Sequence, residues 1–496
     1  MNDSRININK GSEFYINISD FTGFQPAYYA NAWSAYGNKG QANSMTDIDI
    51  SDPNILTQGS GKAALTAGTQ AGAVTTLISS ILKTPTSSGV AFACGGAKLY
   101  KISSTAVTND GTYPMTIDKG TVTGEDATDL VNYKGNVYTF YNHSGSAGDI
   151  AKLTVATNTL DADWGSTTPT GFEALASAPH YAIVGGDDIM YFTNGYYIGY
   201  YDGSTDTLET QGLDFHTDGQ AIAITWNNNS LRAGVNRPNI TGSNFNESAI
   251  YTWNGISSSW EGDPVEVPGK IGALYTKNGT TFVWWQDVIG TGGYNLGYIS
   301  GGSLVSIRRY DGSLPNQAQV GECYGFIMWL SGDDVFLWGS PDKDVHTRMF
   351  HYMTCTYGTG GAISAPFGTI MLSSNATTNY ILEKESGYSI ASTYKTTVLN
   401  MSDARDTAYI DRVVVGTEQM STGAKCDINL VYDQGKTTKA LDQIAYSTAN
   451  KTRHKILHKA VPVEDFRLEL SWANGSATNP VKIRNIFIGG YYKENN

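Results

Sequence analysis

A polar turn followed at once by an apolar, aromatic strand start recurs along this chain, and this repeat constrains the fold more than any other feature. The first apolar residue after each turn falls at seven positions, 47 residues apart on average. In order along the chain these positions are Leu99, Val137, Ile189, Leu231, Phe282, Val335 and Ile381. A period of this length is typical of one blade of a β-propeller, a sheet of about four strands.

A strand-like run precedes each of the first six turns, so each turn joins two strands into a hairpin. The runs are GVAFAC (89–94), ATDLVNY (127–133), HYAIVG (180–185), QAIAITW (220–226), IGALYT (271–276) and YGFIMWL (324–330). Second hairpins follow several of them, for example around Asp202-Gly203 and Asn254-Gly255, pairs that suit turns with positive φ. The pattern predicts an all-β chain with a propeller of about seven blades over residues 56–396. Six or eight blades also fit the intervals, and a stacked or two-domain β-sandwich, which requires no constant period, is the alternative.

The two flanks of the chain lack the repeat. In FRLELSW (466–472) apolar and polar residues alternate strictly, which predicts a strand with one buried face. We expect residues 397–496 to form a C-terminal antiparallel β-sandwich. Residues 1–55 carry short alternating runs that include Phe14 and Ile16, and they are expected to form an N-terminal arm and extended segment. Simple fraying of the N-terminus is the alternative.

The charge balance argues against several classes of protein. With 33 basic and 46 acidic residues the formal net charge is −13, which disfavours a general nucleic-acid-binding or anionic-membrane-binding surface. No apolar run approaches the length of a membrane span, so we expect no membrane insertion. The four cysteines lie far apart and indicate neither a disulfide scaffold nor a zinc ribbon. The first twenty residues have no apolar signal region, which predicts synthesis in the cytoplasm.

Acidic pairs are the first candidates for catalysis, because glycoside hydrolysis needs two acids that face each other across a bond. Asp187-Asp188 and Asp333-Asp334 are adjacent turn residues, and neighbours in a hairpin turn do not face each other across a cleft. The chain contains no G-x-S-x-G motif and no phosphate-binding glycine loop. The sequence therefore predicts no catalytic residue and a protein that is not an enzyme.

Two segments carry side chains that could bind a metal. His346, His351 and Cys355 lie within ten residues, but on a strand the two histidines fall on opposite faces. Residues 202–206 supply oxygen ligands without the later glutamate of an EF-hand. Structural roles are favoured for both segments, so the sequence predicts no metal and no cofactor.

A basic cluster stands out in this acidic chain. It consists of Lys451, Arg453, His454, Lys455, His458 and Lys459. Such a run can meet an acidic partner subunit or phosphates, and a solvated loop or a guarded sheet edge is the alternative. We predict a subunit interface formed by Lys451, Arg453, Lys455, Lys459, Phe14 and Ile16. Aromatic residues such as Trp284, Trp285, Tyr196 and Tyr197 suit the core or, if exposed, sugar stacking or protein contact.

Several segments resemble the β-propeller virion proteins of tailed bacteriophages. They are KIGALYTKNGTTFVWW (270–285), LGYISGGSLVSIRRYDGSLPNQAQV (296–320), GFIMWLSGDDVFLWG (325–339) and GAISAPFGTIMLSS (361–374), extended by FRLELSW and NPVKIRNIFI (479–488). The resemblance covers roughly residues 56–492 through diffuse repeats. It includes the tail nozzle, also called tail tubular protein B, and the tail hub that plugs packaged DNA.

The resemblance implies a non-enzymatic structural component of a phage tail that assembles as a symmetric oligomer around the tail axis. The expected partners are further copies of the chain and other tail or neck proteins, with passive contact to translocating DNA. The expected location is the virion, after synthesis in the bacterial cytoplasm. The match does not separate a nozzle, a hub and a tail-tip ring, and a propeller that binds a host receptor or glycan at the distal tail is the alternative.

Overall fold

The structure, a computed structural model, consists almost entirely of β-strands. It describes residues 13–19, 21, 23–24, 41–52, 54–67, 74–87, 89–120, 124–144, 146–216, 219–237, 248–287, 292–339, 348–376, 379–401, 406–448, 451–457 and 459–494. Within these ranges the helical elements are a four-residue α-helix, α1 (Trp164–Thr167), and a 3-10 turn at Gln317–Gln319. None of the described helices is long and apolar enough to cross a bilayer.

The strands in the first half of the chain are short and closely spaced. They are β1 (Glu13–Ile18), β2 (Gly23–Phe24), β3 (Gln41–Thr46), β4 (Ile48–Asp49), β5 (Thr57–Gln58), β6 (Ser60–Ala64), β7 (Thr66–Ala67), β8 (Ser80–Ile81), β9 (Ala91–Gly95), β10 (Lys98–Ile102), β11 (Ala106–Val107), β12 (Met115–Thr116), β13 (Glu125–Tyr133), β14 (Asn136–His143), β15 (Ser146–Thr154), β16 (Thr159–Asp161), β17 (Ala182–Val184), β18 (Met190–Asn194), β19 (Tyr197–Asp202), β20 (Thr207–Asp214), β21 (Gln220–Asn227), β22 (Ser230–Asn236) and β23 (Ser248–Trp253).

Strands continue at the same density to the end of the described chain. They are β24 (Glu261–Val267), β25 (Gly269–Lys277), β26 (Thr280–Asp287), β27 (Tyr294–Ser300), β28 (Ser303–Tyr310), β29 (Val320–Cys323), β30 (Phe326–Ser331), β31 (Asp334–Gly339), β32 (Arg348–Thr354), β33 (Thr359–Ser364), β34 (Met371–Ala376), β35 (Asn379–Tyr388), β36 (Thr393–Thr396), β37 (Leu399–Asn400), β38 (Asp406–Thr417), β39 (Lys425–Tyr432), β40 (Thr437–Ala440), β41 (Ile444–Ala445), β42 (Arg453–Lys455), β43 (Val461–Val463), β44 (Asp465–Ser471) and β45 (Ile483–Glu494).

The chain divides into two compact units, which we call the propeller unit and the terminal unit. The propeller unit consists of Ala63–Asp333 and Cys355–Lys384. The terminal unit consists of Met1–Lys62, Asp334–Thr354 and Glu385–Asn496. Of the predicted propeller range, residues 56–62, 334–354 and 385–396 therefore belong to the terminal unit. The physical reason is pairing, because β31 pairs with β32 and β32 pairs with β2.

The propeller unit contains seven successive sheets or sheet segments. The first has the order β7-β11-β10-β9-β8 with β12 beside β10, and four antiparallel four-stranded sheets follow as β13–β16, β17–β20, β21–β24 and β25–β28. The hairpin β29–β30 and the strands β33, β34 and β35 come last. Two of the predicted hairpin turns have the expected backbone: Lys134 and Gly135 have φ of 49° and 77°, and Asn278 and Gly279 have φ of 49° and 75°. The prediction of positive φ at both residues is wrong for Asp202-Gly203 and Asn254-Gly255, of which Gly255 alone has positive φ (81°), because longer loops join the strands there. Positive φ at both central residues is the requirement of a type I′ turn.

The innermost strands of these sheets form a closed circuit. Strand β8 contacts β13, and contacts then run in order through β17, β21, β25, β29 and β33. Strand β33 in turn contacts β8, so the last sheet meets the first. The N–H of Leu65 also donates to the carbonyl oxygen of Leu382 (2.8 Å), which ties the start of the unit to its last strand. The sequence-based prediction of an all-β propeller with about seven blades is confirmed.

Apolar side chains fill the spaces between neighbouring sheets. One cluster joins Tyr138 and Phe140 to Phe192 of the next sheet. Another joins residues of the first two sheets, such as Leu99, to Leu382 of the last sheet. Burying one such side chain stabilises the fold by about 1.5–3 kcal/mol. Closure of the circuit therefore buries the outer faces that the first and last sheets would otherwise expose.

The terminal unit contains two larger sheets. One has the order β1-β45-β38-β42 with β43 beside β38, and the other includes the path β31-β32-β2-β3-β36-β44-β39-β40. The predicted alternation of FRLELSW is confirmed: Phe466, Leu468 and Leu470 are buried, while Arg467 and Glu469 are partly exposed. The N-terminal strand β1 pairs with the C-terminal strand β45 over its whole length.

Truncation of the leucine at the closure of the circuit tests the importance of this packing. We expect Leu382→Ala to lower the free energy of unfolding by about 2–5 kcal/mol, because it leaves a cavity where the last sheet meets the first. Urea unfolding followed by fluorescence measures the change. Ile256→Ala is the matched control, since Ile256 is 90% exposed, and it should change the stability little. Equal effects of the two substitutions would contradict this account.

Candidate functional site

A cavity of about 310 Å³ lies among the innermost strands of the propeller unit, and we call it the axial cavity. Five successive sheets contribute to its wall, through residues 80–84, 129–132, 182–184, 224–226 and 275–276, together with Gln317. Since each sheet offers one end of its innermost strand, residues far apart in sequence meet here. Cavities of this kind are the usual ligand sites of proteins.

Register shifts precede the cavity-lining residues in three of these strands. They lie between Ala127 and Asp129 in β13, between Ala221 and Ala223 in β21, and between Ile271 and Ala273 in β25. Such β-bulges bend a strand and redirect the side chains that follow. Because a β-bulge lies at the equivalent position of all three strands, the bulges together shape the wall of the axial cavity.

Asp129 is the carboxylate among the described residues of this wall. It is 8% exposed, and its two oxygens accept hydrogen bonds from the Ser80 hydroxyl (2.5 Å) and the Ala182 N–H (2.8 Å). Burial raises the pKa of Asp129, although these hydrogen bonds and the charge of Lys83 act in the opposite direction. The carboxylate is thus fixed in place by the neighbouring sheets.

Lys83 brings a positive charge to the same cavity. Its side chain reaches solvent in the cavity, but protein surrounds it, so desolvation lowers its pKa while the charge of Asp129 partly restores it. The Nζ atom lies 6.0 Å from the centre of the Tyr275 ring. The cavity therefore holds opposite charges close to an aromatic ring.

Gln317 and Trp226 complete the wall in different ways. The Gln317 amide donates to the carbonyl oxygens of Ile224 and Leu274 and accepts from the Leu274 N–H, each at 3.0 Å. All of these contacts are with backbone atoms, so the Gln317 side chain links the neighbouring strands β21 and β25 by hydrogen bonds. Trp226 is partly exposed and stacks on Tyr191 with ring centres 5.6 Å apart.

The predicted basic cluster is exposed on a sheet edge of the terminal unit. Arg453 and Lys455 belong to β42, which pairs with β38 and ends the order of its sheet. Lys451, Arg453, Lys455 and Lys459 are all exposed, whereas His458 lies outside the described residues. The structure thus brings these four cations to one edge strand and the segments next to it.

Phe14 and Ile16, the other residues assigned to a subunit interface, are buried within the chain itself. Phe14 is 0% and Ile16 is 5% exposed, and the Phe14 ring lies 5.4 Å from that of Tyr492 in the paired strand β45. The alternation of β1 turns these side chains to the covered face and leaves Tyr15 on the other, 50% exposed. The contacts of Phe14 and Ile16 are therefore intramolecular, which corrects their placement at a surface.

The remaining candidates of the sequence analysis have structural partners. Nδ1 of His351 accepts from the Asp47 N–H and its Nε2–H donates to Asp334, both at 2.8 Å, so neither nitrogen is free for a metal. His346 lies outside the described residues. The Asp202 carboxylate accepts from the N–H and hydroxyl of Ser204, as in an ordinary Asx turn. In the described chain no group of three or more His, Cys, Asp or Glu residues could hold a metal ion.

Asp187 likewise has a partner, because it accepts from the Tyr191 hydroxyl at 2.6 Å. Sequence reasoning missed Lys83, Asp129 and Trp226. A signal was present for one of them, since Asp129 is a charged residue inside the apolar run ATDLVNY of an innermost strand. Lys83 and Trp226 come from other sheets and share no local sequence pattern with it.

Neither a protein-family model nor a curated protein matches this chain. Among solved structures, an exo-β-1,3-galactanase from Phanerochaete chrysosporium is similar with 10% identity and a TM-score of 0.30, over 87% of this chain and 100% of that one. The extracellular domain of a hybrid two-component system from B. thetaiotaomicron gives 10% identity and a TM-score of 0.41, over 75% of this chain and 48% of that one. An acylaminoacyl peptidase from Pyrococcus horikoshii gives 12% and 0.34, over 56% and 50%.

The prediction that this chain is not an enzyme is corrected by this comparison. A glycoside hydrolase stands among the similar structures, so the lack of a recognisable acid pair in the sequence does not exclude catalysis. At these identities and TM-scores, the similarities assign no reaction, substrate or catalytic residue to the chain.

Replacement of Asp129 tests whether its carboxylate holds the cavity wall together. We expect Asp129→Ala to lower the free energy of unfolding by about 1–3 kcal/mol, because it leaves the Ala182 N–H and the Ser80 hydroxyl without their acceptor. Chemical denaturation measures the difference. Asp126→Ala is the control, since Asp126 is an exposed residue of the same strand. A loss no larger than that of the control would show that these hydrogen bonds contribute little.

His180 supplies a pH-dependent prediction. It is fully buried, its Nδ1–H donates to the Thr193 carbonyl (2.8 Å), and its unprotonated Nε2 has no hydrogen-bond donor among the described residues. Burial lowers its pKa below the ordinary value of 6.5. In the window between the lowered value and 6.5 the unfolded chain binds a proton that the folded chain does not, so stability falls as pH decreases.

We expect His180→Asn to flatten the decline in unfolding free energy between neutral and mildly acidic pH. Urea unfolding at a series of pH values measures this slope. His216→Asn, which changes an exposed histidine, is the control and should leave the slope unchanged. An unchanged slope in His180→Asn would assign the acid sensitivity to other groups.

Proposed function

We propose that this chain is a structural component of a bacteriophage tail, a nozzle, hub or tail-tip ring protein that assembles as a symmetric oligomer in the virion. The resemblance of its repeats to phage tail propellers supports the proposal, and its partners would be further copies and other tail or neck proteins. The observation that carries the proposal is the exposed basic edge formed by Lys451, Arg453, Lys455 and Lys459 in a chain of net charge −13.

An edge strand has unpaired backbone N–H and C=O groups that can form hydrogen bonds with a partner strand. Lysine side chains on such an edge prevent non-specific strand pairing. Here the cations also favour an acidic partner, and a second copy of this chain is acidic. A contact between the basic edge of one copy and a different, acidic surface of the next is heterologous. Repetition of such a contact builds a ring when the rotation closes.

The volume of the axial cavity limits where DNA could pass in such an assembly. A volume of about 310 Å³ corresponds to on the order of ten water molecules at about 30 Å³ each, far less than a nucleic acid duplex occupies. A DNA channel would therefore lie between the copies in the ring. An acidic lining there would repel phosphates and allow only passive contact with the moving strand.

Charge reversal on the basic edge tests the proposal. We expect Arg453→Glu/Lys455→Glu to lower the oligomeric mass of the full chain, as measured by sedimentation velocity at low ionic strength. Lys270→Glu/Lys436→Glu is the matched control, because both lysines are exposed and the net charge changes equally. If the two double variants assemble alike, the basic edge is not the interface. Gold-labelled antibody on electron micrographs tests the location, and labelling away from the tail would contradict the proposal.

A receptor- or glycan-binding propeller at the distal tail is the second candidate function. The axial cavity favours it, because aromatic rings, side chains of opposite charge and the amide of Asn132 line the same space. Whole-cell adsorption with the purified chain measures this function, and no adsorption to any host tested would argue against it.

A further inference from the structure

Asn132 lines the axial cavity with an amide that the described residues leave weakly bonded. Its nitrogen makes only a 3.5 Å contact with the Pro85 carbonyl, and its Oδ1 atom is covered by the wall and has no hydrogen-bond donor in that part of the chain. A ligand cannot reach the covered Oδ1 atom, whereas the amide nitrogen can donate to an acceptor in the cavity.

The charges of the cavity indicate the kind of group that would enter it. Lys83 donates hydrogen bonds only, whereas ionised Asp129 accepts only, and both line the same space. A free anion would be attracted by Lys83 but repelled by Asp129. A cation would be attracted by Asp129 but repelled by Lys83. A neutral hydroxyl group both donates and accepts, so hydroxyl groups can accept from Lys83 and from the Asn132 amide nitrogen and can donate to Asp129.

Two partly exposed aromatic residues give the cavity an apolar side. Trp226 and Tyr275 both line it, and their rings are otherwise held in place. Trp226 stacks on Tyr191, and the Tyr275 hydroxyl donates to Glu322 at 3.3 Å. Fixed aromatic rings present large, preorganised contact surfaces at low entropic cost.

We infer that the axial cavity binds one neutral hexopyranose unit, such as the terminal residue of a glycan. A pyranose has hydroxyl groups around its rim and C–H groups on its faces, which matches the polar and aromatic parts of the wall. The volume of about 310 Å³ lies at the lower end of small-molecule sites, so it suits a single sugar ring better than a longer segment. This inference rests on the glycan-binding candidate function and not on the tail assembly.

Titration of the full chain with defined sugars tests the inference. The probes are D-glucose, D-galactose and N-acetyl-D-glucosamine, with D-glucuronate and inorganic sulfate as charged comparisons. Isothermal titration calorimetry and saturation-transfer NMR measure binding at millimolar concentrations. We expect at least one neutral sugar to bind saturably, with sulfate bound more weakly or not at all.

Three variants place the binding in the cavity. We expect Lys83→Met, Asn132→Ala and Trp226→Phe each to weaken sugar binding by about tenfold or more, through loss of a hydrogen bond or of stacking area. Trp260→Phe is the matched control, since Trp260 is a partly exposed tryptophan of the same sheet region outside the cavity, and it should bind normally. Circular dichroism and thermal unfolding confirm that each variant is folded, and any one folded variant suffices for the comparison.

The outcomes separate the site from the function. Binding lost in the cavity variants and retained in Trp260→Phe supports the inference. Sugar binding that the cavity variants leave unchanged overturns the site but keeps the glycan-binding function. Binding of no neutral sugar, or preference for sulfate or glucuronate that Lys83→Met abolishes, overturns the inference in favour of an empty or an anion-binding cavity.

Discussion

The apolar packing between neighbouring sheets is the interaction on which the propeller unit depends. A four-stranded sheet has two faces and cannot bury both alone, so each sheet needs a neighbour on either side. The cluster that joins Leu99 to Leu382 gives the first sheet a neighbour only because the last sheet returns to it. The closed circuit of innermost strands follows from this requirement.

The same closure explains why polar side chains are found among the innermost strands of the propeller unit. Innermost strands converge, and where their ends leave a space the side chains reach each other across sheets. Asp129 accepts from Ser80 of the preceding sheet and from Ala182 of the following one, so the carboxylate both lines the cavity and links three sheets. Gln317 performs a similar linking role by hydrogen bonds to two strands. The polar wall of the cavity is thus part of what holds the sheets in register.

Sequence patterns revealed the features that are determined locally. The turn at Asn278-Gly279 could be predicted because its backbone requires positive φ, and the buried face of FRLELSW because a strand has a period of two. Pairing over long distances could not be predicted in this way. Nothing in the sequence around Phe14 indicates that it packs against Tyr492, and Lys83 becomes a neighbour of Asp129 only when the first two sheets pack together.

The pairing of β1 with β45 also decides how the terminal unit responds to mechanical load. The strands are antiparallel, and Glu13 lies opposite Tyr491 while Ile18 lies opposite Ile486. A force that separates Glu13 from Tyr491 loads the paired residues one pair at a time, which is the unzipping geometry of a β-ladder. Strand β1 would therefore separate from β45 at low force, starting at that end. In shear, by contrast, all the pairs would bear the load together.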